Sequence, residues 1–403
     1  MLNWAGRFSI FCFLDNSGYA MAPHQYECLL AVGVQQSVQS GPNSLKDMDA
    51  LMAGNGWVFG HLSYEAAHHR FRLQPKKDHI GFPLFYFFQP QIVISLQGDQ
   101  LKIEGENAEA IFSQLQATEI STEKCFKSLL LQRRLQKEAY IQTIHQLQAH
   151  IQRGDCYEIN FCQEFFAEEA SINPIDIYRQ LVQLSPNPFA ALYRVRDQYL
   201  ICASPERYLA RKGDRLVSQP IKGTAQRHPD AALDEQLKKA LWQSQKERSE
   251  NVMIVDLVRN DLSRVCKEGS VQVDELFGIY PFPQVHQMIS TISGGIKEGI
   301  TFSQIIEATF PMGSMTGAPK QRVMELIQQY EPVGRGIFSG AVGYKAPGGD
   351  FDFNVVIRSI MYNASTGYLS YQTGSGITFY ADAEREWEEC ELKGEAIKKV
   401  LTG

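Results

Sequence analysis

Residues 207–227 read RYLARKGDRLVSQPIKGTAQR. A strand-like alternation runs from Arg207 to Ser218, and Gly213-Asp214 breaks it with a turn signal, so two short antiparallel strands are expected. Lys222 comes next, between Pro220-Ile221 and Gly223-Thr224. An ammonium in that place is either a solvated charge at a sheet edge or a chemical tool. The segment alone leaves both readings open.

On either side, FAALYRV (189–195), QYLICAS (198–204) and YEINFCQEFF (157–166) also read as strands. Four aromatic-rich runs fill the first hundred residues: RFSIFCFL, GWVFGHLSY, FPLFYFFQ and QIVISL. Gly, Pro and Asn separate them, as in antiparallel sheet. Strand patterns return at GIFSGAVGY, FDFNVVIRSIMY and YLSYQTG. Leu135, Tyr140, Ile141, Ile144, Leu147 and Ile151 recur at helical spacing and stop at Gly154. Further helices are expected at 175–184, about 231–262, 319–330 and 383–400. Strands in groups and helices in groups predict an α+β fold with mainly antiparallel sheet, and no Walker or dinucleotide fingerprint is present. The polar stretch 104–130 is the best boundary. It divides an N-terminal region, 1–125, from a catalytic region, 130–403, within one intertwined globular unit.

With 403 residues, 44% hydrophobic and 21% charged, the composition is globular. No apolar run approaches the length of a membrane span, and the first residues lack a basic segment and a small-residue cleavage site. The eight cysteines are scattered without a CxxC pair, which argues against zinc and against a disulfide framework and predicts a reduced, cytoplasmic chain. A net charge of −6 without a basic stripe excludes a nucleic-acid partner. A small anion would need a local positive site.

Several constellations could carry chemistry. Glu247 and Glu250, and again Glu386 and Glu389, are i,i+3 pairs within helical patterns, so each pair shares one helix face. Two such faces brought together suit magnesium; taken alone, the pairs read first as solvated acidic helix faces. Arg259, Asn260 and Asp261 read as a helix-end ion-pair cluster. The small residues of FPMGSMTGAPK (310–320) precede a Pro-initiated helix. Arg358 sits inside an apolar strand pattern, where a guanidinium calls for a carboxylate. The TGSG run (373–376) reads as a loop that would let a ligand approach the backbone closely. His286 stands beside an apolar run.

Together the segments SPERYL (204–209), PIKGT (220–224), ENVMIVDLVRND (250–261), FPQVHQMISTI (282–292), GSMTGAPK (313–320), GAVGY (340–344), VIRS (356–359) and GSG with EREWEE (374–389) resemble the chorismate-utilising enzymes. GHLSYEA (60–66) and FPLFYFF (82–88) look like the N-terminal part of that family. The resemblance implies two packed antiparallel β-sheets with helices outside. PIKGT is the form typical of the aminodeoxychorismate synthase component I branch, whereas the anthranilate synthase branch has alanine at the lysine position. Isochorismate and salicylate synthases place a water-activating lysine where this chain has Glu158.

The resemblance further implies a reaction of chorismate with ammonia. In it Lys222 attacks C2 as a neutral amine, in a site that disfavours its charge, while Glu206, with a raised pKa, protonates the departing C4 hydroxyl. Substrate contacts fall on Gly223, Thr224, His286, Thr316, Phe338, Arg358, Gly374, Ser375, Gly376 and Lys393. Mg2+ falls on Glu250 and Glu389, supported by Glu247 and Glu386. Ammonia comes from a separate glutamine amidotransferase subunit, because no Gly-x-Cys-x-Gly motif is present. Phe338 stands where relatives often have tyrosine, and the nearest stretch to a tryptophan-feedback motif is ECLLAVG (27–33). The alternatives are an anthranilate synthase component I and a non-catalytic chorismate-binding subunit.

Overall fold

The alternation centred on Gly213 produces the expected hairpin: Arg207–Lys212 pairs antiparallel with Arg215–Gln219, and Gly213 takes the left-handed φ of 61° that the turn needs. The structure, a computed structural model, describes residues 1–19, 26–119 and 128–403. The expected boundary near 125–130 lies partly outside these residues, as does Cys125.

Two antiparallel sheets dominate. One has eleven strands and the other ten. Strands from the N-terminal third enter both. Ile10–Asp15 pairs with Phe189–Val195 in the larger sheet, and Val58–Leu62 pairs with Ala341–Lys345 in the smaller. The main apolar core draws on both sheets, with Phe59, Phe87, Phe161, Tyr193, Leu209 and Phe353 all buried. A second core lies between the larger sheet and the helices Pro174–Leu184 and Ala383–Thr402, through Ile177, Tyr178, Leu181, Ile397 and Leu401. Coverage of both faces explains why all ten residues of Glu158–Ala167 are buried, including the polar ones. Helix Pro174–Leu184 starts where its sequence dictates, with Asn173 accepting from the Ile175 N–H and Pro174 in the first turn.

Four local expectations are corrected. FDFNVVIRSIMY is not one strand: Phe351–Asn354 belongs to the smaller sheet and Ser359–Asn363 to the larger, so the chain changes sheets across 355–358. Arg358 therefore sits in a bend, with a left-handed φ of 52°, and not in a strand. The pattern over 231–262 is two helices, Ala231–Gln243 and Gln245–Ser263, because Ser244 leaves helical geometry and its hydroxyl caps the second helix at the Glu247 N–H. The Gly374–Gly376 segment is no loop but part of the strand Tyr368–Ile377.

Candidate active site

Two sheet-to-sheet crossovers lie side by side and frame the site. The first is Pro205-Glu206, between Gln198–Ser204 and Arg207–Lys212; the second is 355–358. They are joined by a hydrogen bond from the Val355 N–H to the Glu206 carbonyl at 3.0 Å, and Ala203 N–H donates to the Arg358 carbonyl at 3.1 Å. Glu206 and Arg358 are thus neighbours in space although 152 positions separate them in the chain.

Lys222 arrives on the next strand, Ile221–Gln226. Its pairing with Val285–Gly295 slips between Ile221 and Thr224, where three steps on one strand oppose two on the other. The extra residue is a bulge, which re-aims side chains, and Gly223 completes it with a φ of 95°. A Cβ on Gly223 would stand 3.0 Å from Glu247 Oε2 and 3.3 Å from Met288 Cβ, so the position needs glycine both for its backbone and for its space.

The Lys222 ammonium donates to Oε1 of Glu158. Both side chains are buried, 12% and 2% exposed. Gly376 makes room for them: a Cβ there would run into both Glu158 Oε1 and Lys222 Nζ. Burial pulls the pKa of Lys222 down, but Glu158, Glu250 and Glu389 together raise it above the ordinary lysine value. The expectation that these side chains disfavour the lysine's charge is therefore reversed, because three carboxylates outweigh desolvation.

The acidic groups divide by surroundings. Glu206 is 4% exposed, and burial raises its pKa to about 7, against the opposing pull of the Ile221 N–H and Lys222. Burial also raises Glu250 to about 7, with Glu158 and Glu247 adding to the shift and Lys222 opposing it. Glu386 is raised by burial. Glu389 is pushed up by burial but lowered overall, chiefly by Lys393, whose ammonium lies 2.7 Å from its Oε1 and also donates to the Gly374 carbonyl at 2.8 Å. Glu250 and Glu389 come from different helices yet both feel Lys222 and Lys246, so the two acidic faces do converge. Among the described residues no three acidic, His or Cys side chains stand at metal-ligating spacing. A magnesium ion asks for less, since it takes one or two carboxylates and completes its shell with water and substrate oxygens. The donor set is of the right kind: Glu386 is buried, Glu247 and Glu250 are half-buried and Glu389 is exposed, and the repulsion by which Glu247 raises Glu250 and Glu389 raises Glu386 would be relieved by a cation.

The guanidinium of Arg358 has no hydrogen-bond or ion-pair partner among the described residues. Burial lowers its pKa, and Glu389 is the charge that opposes this. A desolvated, unpaired guanidinium on a strained bend is suited to receive a carboxylate.

A family profile described as chorismate binding enzyme matches residues 16–399. The chain belongs to the chorismate binding enzyme family. An anthranilate synthase component I-like protein of Synechocystis is 31% identical over 99% of this chain and 83% of its own length. Aminodeoxychorismate synthase component 1 of Escherichia coli is 38% identical over 67% of this chain, and that of Bacillus subtilis 36% over 66%. The matches span only 59% and 56% of those two relatives. Among solved structures, anthranilate synthase component I of Streptococcus pneumoniae superposes with a TM-score of 0.83 at 23% identity, covering 94% of this chain and 93% of that one. The menaquinone-specific isochorismate synthase of Escherichia coli does so at 0.79 and 16% identity, covering 99% and 91%. These likenesses fix the fold as that of chorismate binding enzymes.

Within that fold, other expected residues point elsewhere. His286 pairs in register with Ala225 and gives Nε2 to Asp234 Oδ1 at 3.0 Å, while Thr224 and Gln287 share the opposite face of the two strands. Gln287 is buried, and its Oε1 has no partner. It is the residue that sequence reading passed over in favour of the more conspicuous histidine; only the register could choose between the two. The Thr316 hydroxyl donates to the Met312 carbonyl at 3.1 Å, so it builds its own turn. Phe338 lies in the main core at 2% exposure. Ser375 is fully buried, its Oγ 3.5 Å from the Tyr140 hydroxyl. The expected helix-end cluster is present: Arg259 pairs with Asp256 at 2.8 Å, and Asp261 with Lys320 at 2.5 Å. Glu158 was not expected as a site residue, and it is the partner that Lys222 has.

Proposed function

We propose that this chain converts chorismate and ammonia to 4-amino-4-deoxychorismate, the first amination on the way to para-aminobenzoate and folate. The observation that carries the reading is the placement of Lys222 on a bulge, packed against the Gly376 backbone and within the electrostatic reach of a buried carboxyl, Glu206, whose pKa is about 7. Lys222 Nζ bonds C2 of the ring while Glu206 protonates the departing C4 hydroxyl, which leaves as water. Ammonia then bonds C4, the ring electrons shift back, and the bond between C2 and Nζ breaks. Arg358 receives a substrate carboxylate, and the Gly374–Gly376 backbone lies against the reacting side chains. Glu250 and Glu389, backed by Glu247 and Glu386, would hold Mg2+, which when bound screens a dianionic substrate from the acidic side chains. Ammonia would come from a glutamine amidotransferase subunit.

The full-length likeness to the Synechocystis protein favours a second reading, anthranilate synthase component I. Against it stands Lys222 itself. A non-catalytic chorismate-binding subunit has no use for the assembled lysine and carboxyls. The deciding experiment is product identification after incubation with chorismate, magnesium and an ammonium salt. Aminodeoxychorismate supports the reading; anthranilate, isochorismate or unchanged chorismate overturns it.

A further inference from the structure

We infer that Glu158 is the base of the reaction: it takes the proton that the Lys222 ammonium must lose before its nitrogen can bond C2. The inference rests on the amination reading. Among the described residues Lys222 has one ion-pair partner within 4 Å, and it is Glu158. Glu158 as a residue is 1% exposed, so no bulk water competes to take the proton. Its second oxygen, Oε2, is buried without a partner among the described residues, none of which besides Lys222 claims the carboxylate. Gly376 leaves the pair the space it occupies, and the Glu158 backbone is pinned by pairing with Ala318.

The remaining charges around Lys222 do not offer the same route. Glu250 on helix Gln245–Ser263 and Glu389 on helix Ala383–Thr402 act on it through space, and Glu206 across the crossover is buried as an acid with a pKa of about 7. Glu250 and Glu389 are also the groups expected to be occupied by a cation. In the step, a proton passes from Nζ to Glu158 Oε1, leaving a neutral amine and a neutral carboxyl. The amine lone pair forms the bond to C2, the ring double bond shifts, and the C4–O bond breaks with the Glu206 proton going to the leaving oxygen. After ammonia has bonded C4 and expelled the amine, Glu158 returns its proton to Nζ and the new ammonium at C4 returns one to Glu206.

A mere counter-ion and a base predict opposite results for Glu158→Gln. Removing a counter-ion lowers the lysine's pKa, leaves more neutral amine and speeds the reaction. Removing a base forces the proton out to solvent. The assay is steady-state formation of aminodeoxychorismate by the full chain at saturating magnesium and ammonium, between pH 5 and 6, at least a unit below the pKa of about 7 of Glu206 and Glu250. The expected result is a fall of about 100-fold or more at pH 6 in kcat for Glu158→Gln. The KM for chorismate should stay within about threefold, and the rate should rise about tenfold per pH unit where wild type is flat. Glu158→Asp keeps a carboxylate and is expected to keep the flat profile at reduced rate, which also guards against a Gln variant that does not fold. Equal or faster turnover by Glu158→Gln, or a slower rate with an unchanged flat profile, overturns the role. Wild-type enzyme that forms no aminodeoxychorismate overturns the amination reading and this inference with it, whereas aminodeoxychorismate from wild type with an indifferent Gln variant overturns this inference alone.

Discussion

Two lysine–carboxylate pairs are buried in this molecule, and they behave in opposite ways. Lys222 and Glu158 are 12% and 2% exposed, and Lys320 and Asp261 are 9% and 7%. Burial depresses both lysines, yet Lys222 ends above its ordinary pKa and Lys320 below it. The difference lies in the company each keeps. Lys222 faces Glu250 and Glu389 in addition to its partner, whereas Lys320 has one carboxylate and feels Arg70 and Arg264. Lys320 also donates to the Thr309 carbonyl at 3.3 Å, so its charge ties the helix Lys320–Tyr330 to the end of Gln245–Ser263 through Asp261 and to the end of Phe302–Thr309. Burial alone therefore does not make a lysine a nucleophile. The local sum of charge decides its protonation, and of the two lysines it is Lys222 that stands among the acidic groups of the candidate site.

Replacing each lysine in turn tests this contrast most severely. Lys222→Ala should reduce aminodeoxychorismate formation by roughly three orders of magnitude or more, as removal of a covalent nucleophile does elsewhere. Some direct attack by ammonia at C2 should then become detectable as an anthranilate-type product. Lys222→Arg should be no better, since a guanidinium does not lose its proton. Lys320→Ala should leave product identity unchanged but strand Asp261 in the interior, costing about 3–5 kcal/mol in denaturant unfolding. Aminodeoxychorismate at near wild-type rate from Lys222→Ala would reduce that lysine to a second structural pair.

The carboxylates that set the field around Lys222 have the next largest effect. Glu250→Gln and Glu389→Gln should each remove turnover with the circular dichroism spectrum unchanged, and Glu247→Gln or Glu386→Gln should lower it by about 10- to 100-fold. Full activity in the presence of a chelator would refute a magnesium role for these carboxylates.

Glu206 gives a smaller, pH-dependent effect. As an acid with a pKa of about 7 it should let turnover fall about tenfold per pH unit at higher pH, and Glu206→Gln should be inactive throughout. The same shift has a stability consequence. A carboxyl raised from 4.5 to about 7 favours the protonated fold, so its contribution is complete below pH 4.5 and is lost as pH rises through about 7. The loss is about 3 kcal/mol, and Glu206→Gln should melt higher than wild type at pH 9. The mildest effect is expected at Arg358: replacement by Lys should raise the KM for chorismate about tenfold and leave the melting temperature within a few degrees, because the guanidinium has no partner among the described residues to lose.

Much of this protein is set locally, by neighbours in the chain. The Gly213 hairpin, the helix from 137 that stops before Gly154, the Asn173 cap and the i,i+3 glutamate pairs follow from periods and turn residues that act over a few positions. Motif order was enough to give the family and the two-sheet architecture. Packing between distant segments settled the rest. A period of two says that side chains alternate, but not which sheet a strand joins, so 351–362 read as one strand although it divides between two sheets at Arg358. Nor does it say which face meets the site, so His286 stood out where Gln287 shares the face of Thr224. The GSG glycines read as a loop because the strand that crowds them comes from residues 158–167, more than two hundred positions earlier. The charge on Lys222 is the clearest case: it is a sum over Glu158, Glu250 and Glu389, which only the folded chain brings within reach, and electrostatic sums depend on distance in space, not on order in the chain.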